Sequence, residues 1–448
     1  MDDLLQTAAR RAQGYLNGLA ERGAAPTPAA LARLAELGGP LPDGPAGAAE
    51  MLALLDEIGS PATVASAGGR YYGFVVGGAL PAALAASWLA AAWDQNAGMA
   101  ALSPVAAAIE TVGERWLLEL LGLPAECGVG FVTGATMANF SGLAAARHAV
   151  LARAGWDVEA RGLFGAPPIT VIVGDEVHVS LLKALSLLGL GRERVVRVPV
   201  DAQGRMRPAA MPAIAGPTIV CAQSGNVNTG ACDAVGEICA IAHDAGAWVH
   251  VDGAFGLWLA AAPGRAHLVR GIASADSWAT DAHKWLNVPY DSGLVFCRQP
   301  EHLRAAMAVS AAYLGQQDAR GEPYHYTPEM SRRARGVEIW AALRTLGRTG
   351  VADLIERSCR HAARFAEGLS AAGYRVLNEV ASNQVLVSFG DAERTRQVIA
   401  AIQADGTCWC GGTVWQGQVA MRISVSSWAT TDEDVERSLG AMLRCAAA

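Results

Sequence analysis

The sequence predicts an α/β protein: a mostly parallel sheet with helices on both faces, then an α+β closing domain. Three observations carry this. Short β-branched runs alternate with helical patterns through the middle of the chain. After Arg332 the pattern changes to long helices followed by short strands. The 448 residues are 52% hydrophobic and only 17% charged, with 50 glycines, which suits a large buried core and excludes a disordered chain.

The elements follow in order. Residues 3–22 read as a helix with Leu4, Leu5, Ala8, Ala12, Tyr15 and Leu16 near one face. Thr27-Pro28 reads as an N-cap followed by proline at the first helical position, and a further helix covers 47–58. This opening segment, 1–68, lacks the continuous apolar surface of a domain and is expected to pack on a partner subunit. Residues 75–93 carry no charge, which is long enough to resemble a membrane span. Gly77, Gly78 and Pro81 interrupt the stretch, alanine dominates it, and Asp94 and Gln95 end it. It therefore reads as a loop and a buried helix.

Strand patterns then fall at 169–173, 195–200, 218–222, 247–251, 277–280 and 292–296, the last two close enough to form a hairpin-like exception to the parallel order. Long helices are expected over 331–346 and 351–372, and strands at 374–377, 384–388 and 419–425. A terminal helix starts near Thr431, with Asp432 and Glu433 suited to the dipole of its first turn. The expected domain limits are 1–68 for the N-terminal segment, 69–338 for the large domain and 339–448 for the small one.

Charge and cysteine narrow the function classes. Lys plus Arg is 35 and Asp plus Glu is 42, a net −7. No basic run is present, so nucleic acid is not the expected partner. The nine cysteines are odd in number and scattered, as for free thiols in a reducing compartment. Cys408-Trp409-Cys410 reads as core packing, and no metal site is expected. The acidic Met1-Asp2-Asp3 start has no signal-peptide pattern. A cytoplasmic protein is expected.

Four segments carry chemistry. Asp281-Ala-His283-Lys284-Trp285 follows a short strand. A lysine among apolar strands is costly unless its charge is suppressed or consumed, as when it joins an aldehyde cofactor. A lysine reaching solvent from a strand end accounts for the pentapeptide equally well. Trp248-Val-His-Val-Asp252-Gly-Ala254 is an apolar strand ending in a carboxylate, at the end where open α/β sheets bind ligands. Asp252 there suits a metal, a helix cap or a protonated ring nitrogen, and Gly253 and Ala254 leave room for a flat ring. Gly130-Phe-Val-Thr-Gly134-Ala135-Thr136-Met-Ala-Asn139 opens a helix, and free N–H groups at its start suit a phosphate; Thr136 serves equally as an N-cap. His178-Val-Ser180-Leu-Leu-Lys183-Ala184 puts an imidazole at the same sheet edge.

Taken together over about 71–431, with the His178, Asp252 and Lys284 stretches in that order along the chain, the four segments resemble the group II pyridoxal-phosphate-dependent amino-acid decarboxylases. The resemblance implies the fold type I architecture of PLP-dependent transferase-like enzymes, with a mostly parallel seven-stranded sheet. It implies that Lys284 binds pyridoxal 5'-phosphate covalently, Asp252 pairs with its ring nitrogen and His178 stacks on its ring. Ala135 and Thr136 would hold the phosphate, Asp281 and His283 would lie beside the lysine, and Ala254 under the ring. Asn226 stands where many relatives have threonine. The implied reaction is decarboxylation of an L-amino acid to its amine and carbon dioxide. In the family a tyrosine on a mobile loop protonates Cα; the matching loop is 316–327, and the resemblance does not choose between Tyr324 and Tyr326. An aminotransferase or another amino-acid lyase on the same fold is the rival, and Arg422 bears on it because fold relatives anchor an α-carboxylate there. Tyr72, Phe74 and Trp93 offer aromatic pocket walls, favouring an aromatic or apolar substrate. A homodimer with the active site at its interface is implied.

Overall fold

The computed structural model describes residues 2–309 and 321–448. The chain forms two compact units. Gly77–Ala363 with Asn378–Val385 make the larger; Met1–Val76, Arg364–Leu377 and Leu386–Ala448 make the smaller. This division differs from the limits drawn at 68 and 338: the opening segment clusters with C-terminal residues, and the long helix after residue 336 begins in the larger unit.

The larger unit is built on seven strands: β1 (Gly128–Val132), β2 (Thr170–Gly174), β3 (Val196–Val198), β4 (Thr218–Gln223), β5 (Trp248–Asp252), β6 (Ser277–Asp281) and β7 (Gly293–Cys297). Their order is β1-β7-β6-β5-β4-β2-β3. β3, β2, β4, β5 and β6 are parallel. β7 runs antiparallel to both β6 and β1, which is the hairpin-like exception expected from the sequence. β1 was not expected as a strand: two of its five residues are glycine, and glycine weakens the strand pattern.

Helix Ala135–Arg153 covers one face of this sheet. Its alanines Ala138, Ala144, Ala145, Ala146 and Ala149 and its Leu143 and Leu151 are buried with Val173, Ile219, Trp248 and Val295. Small side chains let the helix lie close to the strands, and each fully buried Leu, Ile or Val contributes roughly 1.5–3 kcal/mol. The uncharged stretch resolves into helix Pro81–Trp93, with proline in its first turn and Asp94 ending it in the left-handed region. Among the described residues no helix is long and apolar enough to cross a membrane.

The smaller unit carries β8 (Arg375–Val376), most of β9 (Gln384–Ser388), β10 (Gly411–Trp415) and β11 (Gln418–Ser424), in the order β10-β11-β9-β8. The last helix, Asp432–Ala447, starts at Thr431, whose hydroxyl accepts from Asp434 N–H while the Asp434 carboxylate accepts from Thr431 N–H. That reciprocal cap matches the expected start. The opening segment is tied to this unit by Ala24 N–H donating to Gly406 O at 2.9 Å.

One contact fixes the height of the helix over the sheet. Gly293 pairs with Val132 on one side and Asp281 on the other, and a Cβ there would overlap the Gly134 backbone. We expect Gly293→Ala to lower stability by about 2 kcal/mol, read as a reduced urea midpoint; an unchanged midpoint would show that the contact is not close.

Candidate active site

β6 is parallel to β5, β4 and β2, so all four present their carboxyl ends at one edge. β1 ends there too, since Val132 and Asp281 both pair with Gly293. Asp281 is the last residue of β6 and 4% exposed at its side chain. Its Oδ1 accepts from Ala135 N–H at 2.5 Å and lies 3.3 Å from His283 Nε2; its Oδ2 lies 3.0 Å from Lys284 Nζ. Lys284 is thus ion-paired at 20% side-chain exposure, not reaching freely into solvent. The segment before helix Pro81–Trp93 covers this turn: a Cβ at Gly77 would overlap the Lys284 carbonyl, and Leu80 N–H donates to Asn287 O.

His283 Nδ1 accepts from Ser292 N–H at 3.1 Å. A backbone N–H only donates, so Nδ1 is bare and the neutral ring carries its proton on Nε2, toward Asp281. Burial lowers the His283 pKa, with Asp281 opposing the shift. Among the described residues, two polar atoms on this segment, Trp285 Nε1 and Ser292 Oγ, are buried with no hydrogen-bond partner.

Asp252 ends β5 at 4% exposure. Its Oδ1 accepts from Ala254 N–H at 3.2 Å and its Oδ2 from Asn139 Nδ2 at 3.1 Å. The Gly253-Ala254 turn is pinned to β6, with Gly253 N–H donating to Ala279 O and Asp281 N–H to Ala254 O. Behind Asp252 lies a polar group that the motifs did not single out. His250 Nε2 is 2.9 Å from Asn139 Oδ1 and its Nδ1 is 2.8 Å from Ser277 Oγ, which accepts from Trp248 Nε1 at 2.9 Å. Two signals pointed to it: His250 shares a strand face with Asp252, two residues away, and Asn139 lies one turn into the helix that begins at Ala135.

His178 precedes helix Val179–Leu187 and caps it: Nδ1 accepts from Ser180 N–H at 3.3 Å and is 2.7 Å from Ser180 Oγ. The histidine and serine of that motif therefore act together, the serine orienting the ring. A cleft is lined by His178, Asp252, Cys221, Ala222, Glu176 and Asp233. Asp233, another residue the motifs missed, accepts from Gln223 and Met206 N–H, each at 2.7 Å, and burial pushes its carboxyl up to about 6. Asn226 is buried in the loop after β4. Its Nδ2 donates to Glu176 and its Oδ1 accepts from Asn228 and Thr229 N–H, so its amide orders the loop. Thr136 is not the helix cap; that position is Gly134.

Of the other expected site residues, Tyr72, Phe74 and Arg422 belong to the smaller unit. Tyr72 is a correction: it is fully buried, its hydroxyl 3.2 Å from Ser438 Oγ and its ring edge-on to Phe365, so it packs a core. Phe74 is exposed and stacks on Trp409, and Trp93 is exposed at its helix end. Arg422 is half-buried on β11 opposite Gly411, with its pKa lowered by burial. Tyr324 and Tyr326 belong to a packed turn, Pro323–Tyr326. Tyr324 is buried against His325, and Tyr326 packs on the large core and crowds Gly128 of β1. Residues 316–320 of the expected loop lie outside the described residues.

The donor set fits pyridoxal 5'-phosphate. Lys284 supplies an amine for the aldehyde, Asp252 a carboxylate for the ring nitrogen, and the start of helix Ala135–Arg153 an anion-binding end. Ala222 and His178 line one cleft with Asp252. A pyridoxal-dependent decarboxylase conserved domain matches residues 71–390. The L-2,4-diaminobutyrate decarboxylase of Rhizobium meliloti (strain 1021) is 31% identical over 381 residues, 80% of this chain and 74% of that protein. The aromatic-L-amino-acid decarboxylase of Bacillus atrophaeus is 29% identical over 268 residues, 57% of this chain and 52% of that enzyme, about half its length. Among solved structures, Oryza sativa TDC with PLP and tryptamine has a TM-score of 0.91 at 22% identity, covering 100% of this chain and 97% of that one; this is a likeness of fold.

Burial pushes the His250 imidazole down to about 3 from 6.5. The unfolded chain takes a proton near 6.5 and the native state does not, so His250 costs nothing above pH 7. It removes stability as the pH falls below 6.5, by about 1.4 kcal/mol per pH unit. Denaturation midpoints at pH 7 and pH 5 should fall less in His250→Gln than in the wild type; equal falls would refute a neutral buried imidazole.

Proposed function

The chain belongs to the pyridoxal-dependent decarboxylase family, carboxy-lyases that use pyridoxal 5'-phosphate on amino acids, and we propose that the whole protein decarboxylates an L-amino acid with an aromatic or apolar side chain. The observation that carries the reading is the Lys284–Asp281 ion pair at the strand edge that also bears Asp252 and His178. The bound cofactor supplies a sink for the electron pair left on Cα when carbon dioxide departs.

The chain's own residues prepare that step. Asp281 holds the Lys284 amine and sets its reach. Asp252 presents a buried carboxylate that stabilises a protonated ring nitrogen. His178, its Nδ1 held by Ser180, offers its ring face and its Nε2–H. The helix start would receive the phosphate through backbone N–H groups from Thr136 onward, the Ala135 N–H being given to Asp281. The aromatic-L-amino-acid decarboxylase among its relatives supports an aromatic or apolar substrate side chain.

A homodimer is part of the same proposal. The opening segment exposes Leu5, Leu41, Met51 and Leu55, at 62%, 91%, 49% and 55%, more apolar surface than a short segment leaves in water without cost. All nine cysteines are unpaired, which supports a cytoplasmic location.

Purified protein given the aromatic amino acids, the aliphatic ones and diaminobutyrate should release carbon dioxide and the amine from an aromatic or apolar substrate. Amino transfer to a keto acid without carbon dioxide would overturn the reading. Lys284→Ala should abolish the borohydride-reducible cofactor link; a persistent link would remove Lys284 from its role. Deleting residues 1–68 should turn a dimer into a monomer in size-exclusion chromatography with light scattering, and a surviving dimer would place the interface elsewhere.

A further inference from the structure

The group behind Asp252 has two fixed ends. A carboxylate only accepts hydrogen bonds, and an indole N–H only donates. Because Asp252 Oδ2 accepts, the Asn139 atom facing it at 3.1 Å is the amide nitrogen. Asn139 Oδ1 therefore faces His250 Nε2 at 2.9 Å, and that nitrogen carries the proton. At the other end, Trp248 Nε1–H donates to Ser277 Oγ at 2.9 Å. The Ser277 hydroxyl is then free to give its own proton to His250 Nδ1, 2.8 Å away. Each assignment forces the next, and every donor points the same way.

The fold sets these positions. His250 and Ser277 are register partners on β5 and β6. The imidazole occupies the gap between sheet and helix opposite Gly142, where a Cβ would come within 2.7 Å of His250 Cε1. Glycine within a helix costs about 1 kcal/mol against alanine; here it makes room for the ring. Asn139, Ser277 and His250 are each fully buried, and each is hydrogen-bonded on both sides.

We propose that Ser277, His250 and Asn139 are positioning residues forming a one-way donor relay, which keeps Asp252 ionised and its Oδ2 occupied, so that the carboxylate meets the cofactor's ring nitrogen as an anion. The proposal rests on the pyridoxal-phosphate reading above. A donor to a carboxylate stabilises its charged form. With the relay in place, a proton shared between Asp252 and a ring nitrogen stays on the nitrogen, where it draws electrons from Cα; without it, the proton shifts toward Asp252.

The test has one arm without cofactor and one with it. In the full-length apoprotein, labelled with nitrogen-15 histidine, His250 should show a protonated Nε2 and a bare Nδ1 at neutral pH. A protonated Nδ1 would overturn the relay, whatever the protein binds. In protein reconstituted with ring-nitrogen-15 pyridoxal phosphate, the wild type should show a protonated ring nitrogen. His250→Leu should shift that signal toward neutral pyridine, while His250→Gln, which has a donor and an acceptor, should keep it near the wild type. An unmoved signal in His250→Leu, or the same shift in both variants, would refute the role. If His250→Leu does not fold, Asn139→Leu is read in its place, with the same expected shift. Failure of the wild type to bind the cofactor would refute the pyridoxal-phosphate reading and leave the histidine result standing.

Discussion

The carboxylate of Asp281 is the joint on which the site depends. It stands at the end of β6, and its oxygens reach the N–H of Ala135, the ring of His283 and the amine of Lys284. Without it, the helix start and the lysine would be two loosely placed ends of distant segments. A buried carboxylate is costly to hold, and here a backbone donor, an imidazole and an ammonium group share that cost. The glycine contact between Gly134 and Gly293 keeps the helix low enough for Ala135 to reach the carboxylate at all.

The sheet supplies the rest by direction alone. Parallel strands put their last residues on one edge, so Asp252, Asp281 and the turn before His178 meet although 29 residues separate the two aspartates and more than 70 separate Asp252 from His178. β7 is the exception that makes the arrangement work. By running antiparallel between β6 and β1, it places the end of β1, and so the start of the helix, beside Asp281.

Much of this was legible in the sequence. The runs that became β2, β4, β5 and β6 are β-branched or apolar and bounded by turns. The motif residues Lys284, Asp252 and His178 fall at the strand edge because a parallel sheet leaves them nowhere else. What was not legible has physical causes. β1 and β10 contain paired or alternating glycines, which dilute the strand pattern; Gly128 and Gly130 are small because Tyr326 packs against them. Tyr72 is aromatic and near Phe74 in sequence, yet adjacent residues point in opposite directions, and only the packing of Phe365 and Ser438 around it decides for the core. The relay was hidden because its members come from a helix and two strands, and become neighbours through the pairing of His250 with Ser277.

The buried polar groups at this strand edge divide into two kinds. Around Asp252 every partner is found: Asn139, His250 and Ser277 are buried and bonded on both sides, and such a closed network fixes one arrangement. Around Lys284 the accounting is incomplete, for Trp285 Nε1 and Ser292 Oγ are buried without partners, at roughly 1–3 kcal/mol for each such group. If Lys284 takes up the cofactor as proposed, its amine changes partners, and a closed network there would have to be broken. Among the described residues the closed network lies behind Asp252, while unsatisfied buried atoms occur on the Lys284 segment and also away from it, as at Arg147 and Glu338.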